Sequence, residues 1–379
     1  MNRNLTRLVR SHDGRRVAST SPVCREGSRA LLLLCAGLVG CSSTPSAASA
    51  PDAASSDATI GPGSNESTSE AGGPADAGSE AGEAATDGGI VTLSFDPSGN
   101  GSPDAIYWDD AKQVLYIVDD FNNQVWTYTD ANGFQKYATV PDNPVLDDAG
   151  ETKLNGVTEL ADGTLVVTRF GYGIGGALYT VSPDGGSATV PNVPPARKRI
   201  AVTVDPSTGT VYSDSFSGGG DAAISGEVET VNLATGTTVF ATGFGKTVGL
   251  LVQGSALLVS DQSNGVIVAV PVDGALIADG GAGLADGAAF AVYANVVAPD
   301  QLSAGPNGSI YTDEFRPPVD GGALQVRQIW PDGGVTIPWP TTSFTALSDV
   351  AYDATNHRLF VVDSNGTTVR TIKILPVMQ

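Results

Sequence analysis

The stretch QVLYIVDD at residues 113–120 recurs, with variations, five more times along the chain. Each copy is a turn followed by a strand rich in β-branched and aromatic residues that closes on a polar residue. The other copies are GTLVVTRF at 163–170, GTVYSDSF at 209–216, SALLVSDQ at 255–262, GSIYTDEF at 308–315 and HRLFVVDS at 357–364. A repeat of about 40 to 50 residues built from short strands is typical of a β-propeller, with one blade per repeat. The sequence therefore predicts an all-β, six-bladed β-propeller.

Each repeat also contains strands on either side of this segment. Fourth strands are predicted in segments that include SATVPNV at 187–193 and GVTIPWP at 334–340, whereas the sixth repeat reaches Gln379 after only three strands. We expect IVTLSF, which begins at Ile90, to supply the missing outer strand, because pairing the two ends of a domain in one blade removes a free sheet edge. The propeller is thus predicted to span residues 90–379.

The first 40 residues are predicted to be an export signal. ALLLLCAGLVG at 30–40 is an apolar run that is too short to span a bilayer and follows an arginine-rich stretch. It ends in Leu38-Val39-Gly40-Cys41, which resembles the bacterial lipobox, although a buried helix ending in cysteine is an alternative. The resemblance implies a lipid on Cys41 that anchors the exported protein to a membrane without spanning it. Ser42 then favours the outer membrane of a Gram-negative bacterium, on its periplasmic or its surface face.

The segment 41–89 begins with that cysteine and is rich in Ser, Ala, Gly, Pro, Asp and Glu, with no aromatic and no basic residue. Such a segment buries too little apolar area to offset the entropy of ordering the chain. It is predicted to be a disordered, acidic tether, whose ~48 residues would have an r.m.s. reach of roughly 35–40 Å.

Composition argues against several kinds of function. The chain has 41 acidic and 20 basic residues, a net charge of −21, which disfavours binding to nucleic acid. All three cysteines, Cys24, Cys35 and Cys41, precede the propeller, so no disulfide or thiol nucleophile is expected within it. Two histidines, His12 and His357, are too few for a multi-histidine metal site and poorly placed for a Ser-His-Asp triad.

The residues that begin the first strand of each blade are candidate metal ligands. In a propeller these strands line the central channel, so their starts should face the funnel together. Oxygen-bearing side chains occur at Asp104, Asn155, Asp300 and Asp349, the last beside Ser348. Carboxylate and amide oxygens are the ligands that Ca²⁺ prefers. The pattern is consistent with a Ca²⁺ site, or with residues that simply turn the chain into the strand.

The residues that close the second strands suggest two further roles. Five repeats end in aspartate, which is expected to accept backbone N–H bonds in the adjoining loop. Arg169 replaces the aspartate in the second repeat and is predicted to face the funnel, either to bind a carboxylate or phosphate or to pair with Asp104. The loops that follow carry aromatic residues and glycine, which suit a binding mouth but also occur on ordinary surface loops. The predicted ligand-binding residues are Arg169, Phe170, Tyr172, Phe216, Phe315 and Arg316.

These motifs resemble the six-bladed regucalcin/gluconolactonase group, with NHL-repeat proteins as relatives, across residues 90–379. PDAIYWD, from Pro103, is similar to the first-blade motif of that group, and NGVTELADG, from Asn155, is similar to the second. The resemblance implies that Asp104 is a metal ligand and that Asn155 contacts substrate or metal. It also implies ligands at the starts of blades three and four, where this chain has Ile200 and Val248, which cannot bind a metal.

Two functions therefore remain open. The first, which the missing ligands favour, is a monomeric, lipid-anchored propeller that is not an enzyme and binds a small molecule or a protein at its funnel face. The second is a Ca²⁺-dependent hydrolase of lactones or related esters, of the type that the resemblance implies, with Asp104, Asn155 and Asp300 around the metal. There the metal would polarise the carbonyl group, and a nearby carboxylate would act as the base.

Overall fold

In the described part of this computed structural model, 25 short β-strands, numbered β1 to β25 in chain order, make up nearly all of the regular structure. The structure describes residues 85–87, 89–95, 101–141, 153–219, 222–272, 290–317, 322–365 and 368–378, all within one compact unit, Ala75–Gln379. The described residues contain no helix with the length and hydropathy that a bilayer-spanning helix requires. The predicted signal, Cys41 and most of the predicted tether lie outside the described residues, so their roles stay predictions.

The strands form six antiparallel sheets, which are the blades of a propeller. Blade one contains β3 (Pro103–Asp109), β4 (Val114–Asp119), β5 (Gln124–Thr129) and β6 (Gly133–Thr139). Blade two contains β7 (Leu154–Glu159), β8 (Leu165–Arg169), β9 (Ala177–Val181) and β10 (Ser187–Thr189). Blade three contains β11 (Val202–Val204), β12 (Val211–Gly219), β13 (Ala222–Asn232) and β14 (Gly236–Phe244).

The second half of the ring repeats this order. Blade four contains β15 (Thr247–Gln253), β16 (Ala256–Asp261), β17 (Val266–Pro271) and β18 (Ala291–Asn295). Blade five contains β19 (Pro299–Ala304), β20 (Ile310–Glu314), β21 (Val326–Ile329) and β22 (Val335–Thr336). Blade six contains β23 (Leu347–Asp353), β24 (Arg358–Ser364) and β25 (Arg370–Pro376), completed by β2 (Ile90–Ser94) and β1 (Ala85–Asp87) from the other end of the chain.

The first strands of the blades form the inner ring. β3, β7, β11, β15, β19 and β23 lie next to one another in that order, and β23 returns to β3. The approach is close between blades two and three, where the Gly156 amide donates to the carbonyl oxygen of Ile200 at 2.6 Å. A Cβ atom on Gly156 would lie 2.4 Å from that oxygen, so only glycine fits there.

Apolar clusters fill all six spaces between adjacent blades. Val118 and Val167 belong to the cluster between blades one and two, and comparable clusters fill the other spaces. Because each second strand is covered by neighbouring blades on both faces, β8 is buried along its whole length. This explains why the repeated segments read as nearly continuous apolar runs rather than as alternating patterns.

The ring closes as the sequence predicts, through antiparallel pairing of β2 with β25. The pairs run from Val91 with Ile374 to Ser94 with Thr371, and the Phe95 amide then donates to the carbonyl oxygen of Arg370 at 2.8 Å. β1 pairs with β2 and gives blade six a fifth strand, within the last residues of the segment assigned to the tether.

Two predicted fourth strands are shorter than expected. β10 ends at Thr189, before Pro191, and β22 contains only Val335 and Thr336, before Pro338. Proline has no N–H group to donate to a neighbouring strand, so it ends the pairing at these outer edges.

The seam between blades six and one should depend strongly on Phe95. Its ring is buried, with its centre 5.2 Å from the centre of Phe134 and 6.2 Å from that of Trp126. We expect Phe95→Ala to lower the free energy of unfolding by about 3–5 kcal/mol, because it removes a buried aromatic ring and leaves a cavity. Urea unfolding followed by tryptophan fluorescence would measure the loss.

Phe315→Ala is the matched control for this substitution. The Phe315 side chain is 44% exposed, so its removal should change the free energy of unfolding by less than about 1 kcal/mol. A loss of less than about 1 kcal/mol in Phe95→Ala as well would show that Phe95 does not stabilise the seam.

Candidate functional site

The first strands of all six blades line a cavity of about 320 Å³ along the central channel. The predicted oxygen ligands lie near the starts of four of these strands: Asp104 in β3, Asn155 in β7, Asp300 in β19 and Asp349 in β23. Because the inner strands lie side by side, these starts meet at one end of the channel. We call this end, defined by those four residues, the mouth.

Direct contacts link these residues across blade boundaries. The side-chain amide of Asn155 donates to Oδ2 of Asp104, which joins blades two and one. Oδ2 of Asp349 accepts a bond from the Ile106 amide at 2.7 Å, and the Ser348 hydroxyl donates to the carbonyl oxygen of Asp104 at 2.9 Å. These last two bonds join blades six and one, so the mouth includes the seam at which the ring closes.

Burial and like charges raise the pKa of Asp104 well above its usual value. Loss of hydration is the largest cause, and the negative charges of Asp120 and Asp300 add to it. Lys153 and the amide of Asn155 act in the opposite direction without reversing the shift. The Asp104 carboxyl group therefore gains from any nearby positive charge.

The pKa values of Asp300 and Asp349 are raised in the same way. Burial is again the main cause for both. The charge of Asp313 raises the pKa of Asp300 further and that of Lys246 lowers it, while Asp349 is opposed by two backbone amides and raised by Asp300 and Asp104. The mouth is thus a group of mutually repelling carboxylates held away from water.

The ligand atoms at the mouth are of the type that a hard cation prefers. All candidate side chains offer oxygen, and the buried Oδ1 atom of Asn155 accepts no hydrogen bond, which leaves it available to a positive charge. The set is incomplete on one side, because Ile200 and Val248 stand at the equivalent positions of blades three and four. Within the described ranges, no three His, Cys, Asp or Glu side chains are grouped closely enough to enclose a metal ion.

Four of the five aspartates that close second strands have the structural role predicted for them. Each accepts bonds from amides of the loop that leads into the first strand of its own blade, and so fixes that loop. The bonds run from Ser102 N to Asp119 (3.1 Å), from Ile200 N and Ala201 N to Asp214 (2.9 and 2.8 Å), from Gly245 N to Asp261 (2.7 Å), and from Thr345 N and Ala346 N to Asp363 (2.7 and 2.8 Å). The fifth, Asp313, accepts no hydrogen bond.

The predicted placement of Arg169 is wrong. Its side chain is only 1% exposed and is buried between blades one and two rather than exposed at the mouth. Its Nη2 atom donates to Oδ1 of Asn123 at 3.1 Å and to the carbonyl oxygen of Pro141 at 2.9 Å, and its guanidinium carbon lies 4.8 Å from the ring centre of Tyr179. These contacts hold the guanidinium group inside the protein, which the isolated sequence pattern did not reveal.

The other predicted ligand-binding residues belong to a row of alternating aromatic and basic side chains across blades two to five. We call it the cation–aromatic row, and its members in order are Tyr172, Phe170, Lys198, Phe216, Lys246, Phe315 and Arg316. The Nζ atom of Lys198 lies 5.6 Å from the ring centres of both Phe170 and Phe216. That of Lys246 lies 5.6 Å from Phe216 and 4.9 Å from Phe315, within the usual range of cation–π contacts.

The members of this row differ in access to a ligand. Tyr172 and Phe315 are 38% and 44% exposed, and Arg316 is exposed, whereas Phe216 is 2% exposed and supports the lysines from below. Burial lowers the pKa of Lys246 although Asp300 opposes the shift, which places this amine beside the acidic mouth.

Sequence reasoning missed Lys198 and Lys246. Both lie just before a first strand, as Lys153 does in blade two, and this recurrence is the signal that could have identified them.

A wider cavity of about 810 Å³ lies at the opposite end of the channel strands, along the turns between first and second strands of blades one to three. Its buried acid, Glu159, is already paired with Lys112 and accepts a 3.5 Å bond from the Tyr116 hydroxyl. Burial raises the pKa of Tyr116 to about 12. Because these polar groups already bind one another, we take the mouth rather than the larger cavity as the candidate functional site.

No protein-family model matches the sequence, and no curated protein matches it. Solved structures share its fold. A gluconolactonase from Xanthomonas campestris is 15% identical over 77% of this chain and 91% of its own, with a TM-score of 0.54. The calcium-binding protein regucalcin from Agrobacterium tumefaciens is 12% identical over 73% and 90%, with a TM-score of 0.52. Virginiamycin B lyase from Staphylococcus aureus is 12% identical over 76% and 99%, with a TM-score of 0.50.

These comparisons confirm the predicted resemblance at the level of the fold. The chain is a six-bladed β-propeller with the architecture of gluconolactonase and regucalcin. At 12–15% identity the likeness shows the fold alone, and the same fold carries different chemistries.

Lowering the pH from 8 to 6 should stabilise the fold when a chelator is present. A carboxyl group with a raised pKa holds its proton more tightly in the folded protein than in the unfolded chain, so the free energy of unfolding rises as the pH falls through that pKa. Burial raises the pKa of Asp214 to about 7. This group alone should contribute about 1 kcal/mol between the two pH values, measured by urea unfolding.

Two variants test whether Asp214 contributes to this gain in stability. Asp214→Asn should reduce the gain, because it removes the titrating group. Asp184→Asn should not, because Asp184 lies on an exposed turn and its pKa is lowered by the Ser182 hydroxyl. A free energy of unfolding that falls between pH 8 and pH 6 in the wild-type protein would contradict the raised pKa values.

Proposed function

We propose that the chain is a cation-dependent hydrolase of lactones or related esters that acts at the mouth. The observation that carries this proposal is the convergence of carboxylates from three blades, Asp104, Asp300 and Asp349 with Asp313 beside them, whose pKa values are all raised. Buried like charges of this kind favour a hard divalent cation such as Ca²⁺. The fold shared with a gluconolactonase and with calcium-binding regucalcin also supports this proposal.

The proposal gives the residues of the mouth distinct tasks. The carboxylates do not enclose a cation in the described structure, so Asp104, Asn155, Asp300 and Asp349 would have to draw together to hold one by their side-chain oxygens. A bound cation would supply the positive charge that polarises an ester carbonyl group. A mouth carboxylate within hydrogen-bond reach of the attacking water would accept its proton as the general base.

The incomplete side of the mouth offers a route for the substrate. Blades three and four provide no oxygen ligand at Ile200 and Val248, and the lysines of the cation–aromatic row, Lys198 and Lys246, precede these two strands. A substrate that lies across the mouth would place its carbonyl group towards the carboxylates. Its anionic or aromatic part would face the row.

A second candidate function is binding without catalysis at the same face. The specific observation in its favour is the cation–aromatic row, which presents exposed Tyr172 and Phe315 together with Arg316. Such a surface suits an anionic or aromatic ligand, or a protein partner, without any need for a metal. Binding of an anionic aromatic ligand in EDTA, without turnover of any lactone or ester, would favour this function.

Hydrolysis of a panel of sugar-acid lactones and simple aryl esters, followed by acid release, tests the main proposal. We expect activity to be lost on treatment with EDTA and restored by Ca²⁺. Asp104→Asn and Asp300→Asn should each lower kcat/KM by about 100-fold, equivalent to about 2.7 kcal/mol. Asp184→Asn, on a remote exposed turn, should leave kcat/KM unchanged, and activity that is indifferent to EDTA would exclude a cation-dependent mechanism.

We also propose that Cys41 carries a lipid anchor that keeps the protein on a membrane. This rests on the lipobox-like sequence and the polar segment that follows it. Cells that produce the full chain should incorporate labelled palmitate into it, and Cys41→Ala should abolish the label. Cys35→Ala, within the apolar run, is the matched control and should retain it. Equal labelling of the wild-type chain and the Cys41 variant would refute the anchor.

A further inference from the structure

Three basic side chains of the cation–aromatic row, Lys198, Lys246 and Arg316, form no ion pair with a carboxylate in the part of the chain that the structure describes. The chain has 41 acidic residues and only 20 basic ones, so carboxylate partners are plentiful. Most other basic side chains in the described ranges have such a partner, namely Lys112, Lys153, Arg197, Arg199, Arg327, Arg358 and Lys373. A group of neighbouring cations without carboxylate partners is therefore unusual in this acidic protein.

Backbone hydrogen bonds fix the positions of the two lysines. Lys198 and Phe216 exchange two of them, of 2.9 and 3.0 Å, which attach the chain before β11 to the second strand of the same blade. The carbonyl oxygen of Lys246 accepts a bond of 2.8 Å from the amide of Gln262, just after β16. Both lysines precede a first strand, so they lie where two neighbouring blades meet the face that carries the row.

The ammonium groups of the lysines are held in place without using all of their donors. Each packs against two aromatic rings, and Phe216 is shared by both. Lys198 donates one hydrogen bond to the carbonyl oxygen of Gly218 at 3.2 Å, and Lys246 donates one to Oε1 of Gln262 at 2.7 Å. An ammonium group has three N–H donors. Each lysine therefore has two donors that no described residue uses.

The cations of the row are close enough for one small molecule to bind more than one of them. Each lysine Nζ atom lies 5.6 Å from the ring centre of Phe216, so the two are separated by at most twice that distance. The guanidinium carbon of Arg316 lies 5.7 Å from the ring centre of Phe315, against which Lys246 also packs. Phe315 and Arg316 are exposed, which leaves this end of the row open. Like charges so arranged repel one another, and an anion between them removes the repulsion.

We propose that the cation–aromatic row binds a small organic polyanion, with two or more carboxylate or phosphate groups, through the ammonium groups of Lys198 and Lys246. Arg316 contributes a third positive charge at the open end. Because the rings and backbone bonds already hold the lysines, binding costs little side-chain entropy. The inference gives the second candidate function a ligand class and rests on it for the use of this face. It requires neither a divalent cation nor hydrolysis.

Calorimetric titration of citrate and of tripolyphosphate into the metal-free full chain, at low salt, tests this assignment. Citrate offers carboxylates and tripolyphosphate offers phosphates, so the two probes separate the possible sources of the anionic groups. Lys198→Gln and Lys246→Gln should each raise the Kd of the tighter probe by at least about tenfold, because each removes one charge that the polyanion contacts. Acetate, with a single carboxylate, should bind at least about tenfold more weakly than citrate.

Two further variants control for charge and folding. Lys246→Arg keeps the positive charge and should bind the probe within about threefold of the wild-type chain. Lys136 is an exposed lysine of β6 in blade one, outside the row, so Lys136→Gln should also leave the Kd within about threefold. Equal weakening in Lys136→Gln and in the row variants overturns the inference, since the probes then respond only to net charge. If Lys246→Gln does not fold, Lys198→Gln is measured with the same expectations.

The outcomes separate this inference from both proposed functions. Binding of neither probe, or a Kd unchanged in both row variants, overturns the inference, while loss of lactone hydrolysis in EDTA would still support the hydrolase. Probe binding that the row variants weaken, without hydrolysis of any lactone or ester, supports the inference and overturns the hydrolase. Binding of an aromatic monoanion but of neither polyanion overturns the inference and leaves the second candidate function intact.

Discussion

The pairing of β2 with β25 is the contact on which the rest of the structure depends. Each blade packs only against its two neighbours, so the six apolar clusters form a closed series that is complete only when blade six receives its outer strand from the other end of the chain. The bonds from Ile106 to Asp349 and from Ser348 to Asp104 cross this seam. The positions of the mouth carboxylates are therefore set by ring closure as much as by their own strands.

The mouth and the cation–aromatic row form two chemically different halves of one face of the ring. Blades five, six and one contribute carboxylates that repel one another, while blades two to five carry the lysines and aromatic rings of the row. Lys246 lies where the halves meet, because Asp300 acts on its pKa and Phe315 lies beneath its amine. A site of this kind orients a ligand by charge before any chemistry takes place, which matters for both proposed functions.

Much of the fold could be predicted because each blade has a recognisable pattern of strands and turns within its own repeat. The apolar second strands and the short sixth repeat gave the blade count, and IVTLSF could be matched to the gap because a free edge is unfavourable. The candidate site was harder to predict, because residues with different contacts occupy the same position in their repeats. Asp261 and Asp313 occupy the same place in their repeats, and only the path of the neighbouring loop separates one that binds amides from one that does not. Arg169 was misplaced for the same reason, since its partners Asn123 and Pro141 come from another blade.

Ring closure also has a consequence for how the protein is made. Val91 in β2 pairs with Ile374 in β25. The sheet of blade six therefore cannot be completed until β25 has been synthesised. On a ribosome β1 and β2 leave first and can pair only with each other until β25 is synthesised, and contacts between such distant residues slow folding. A copy of the chain that stops before β25 would keep an unpaired sheet edge at β2, and such an edge favours aggregation.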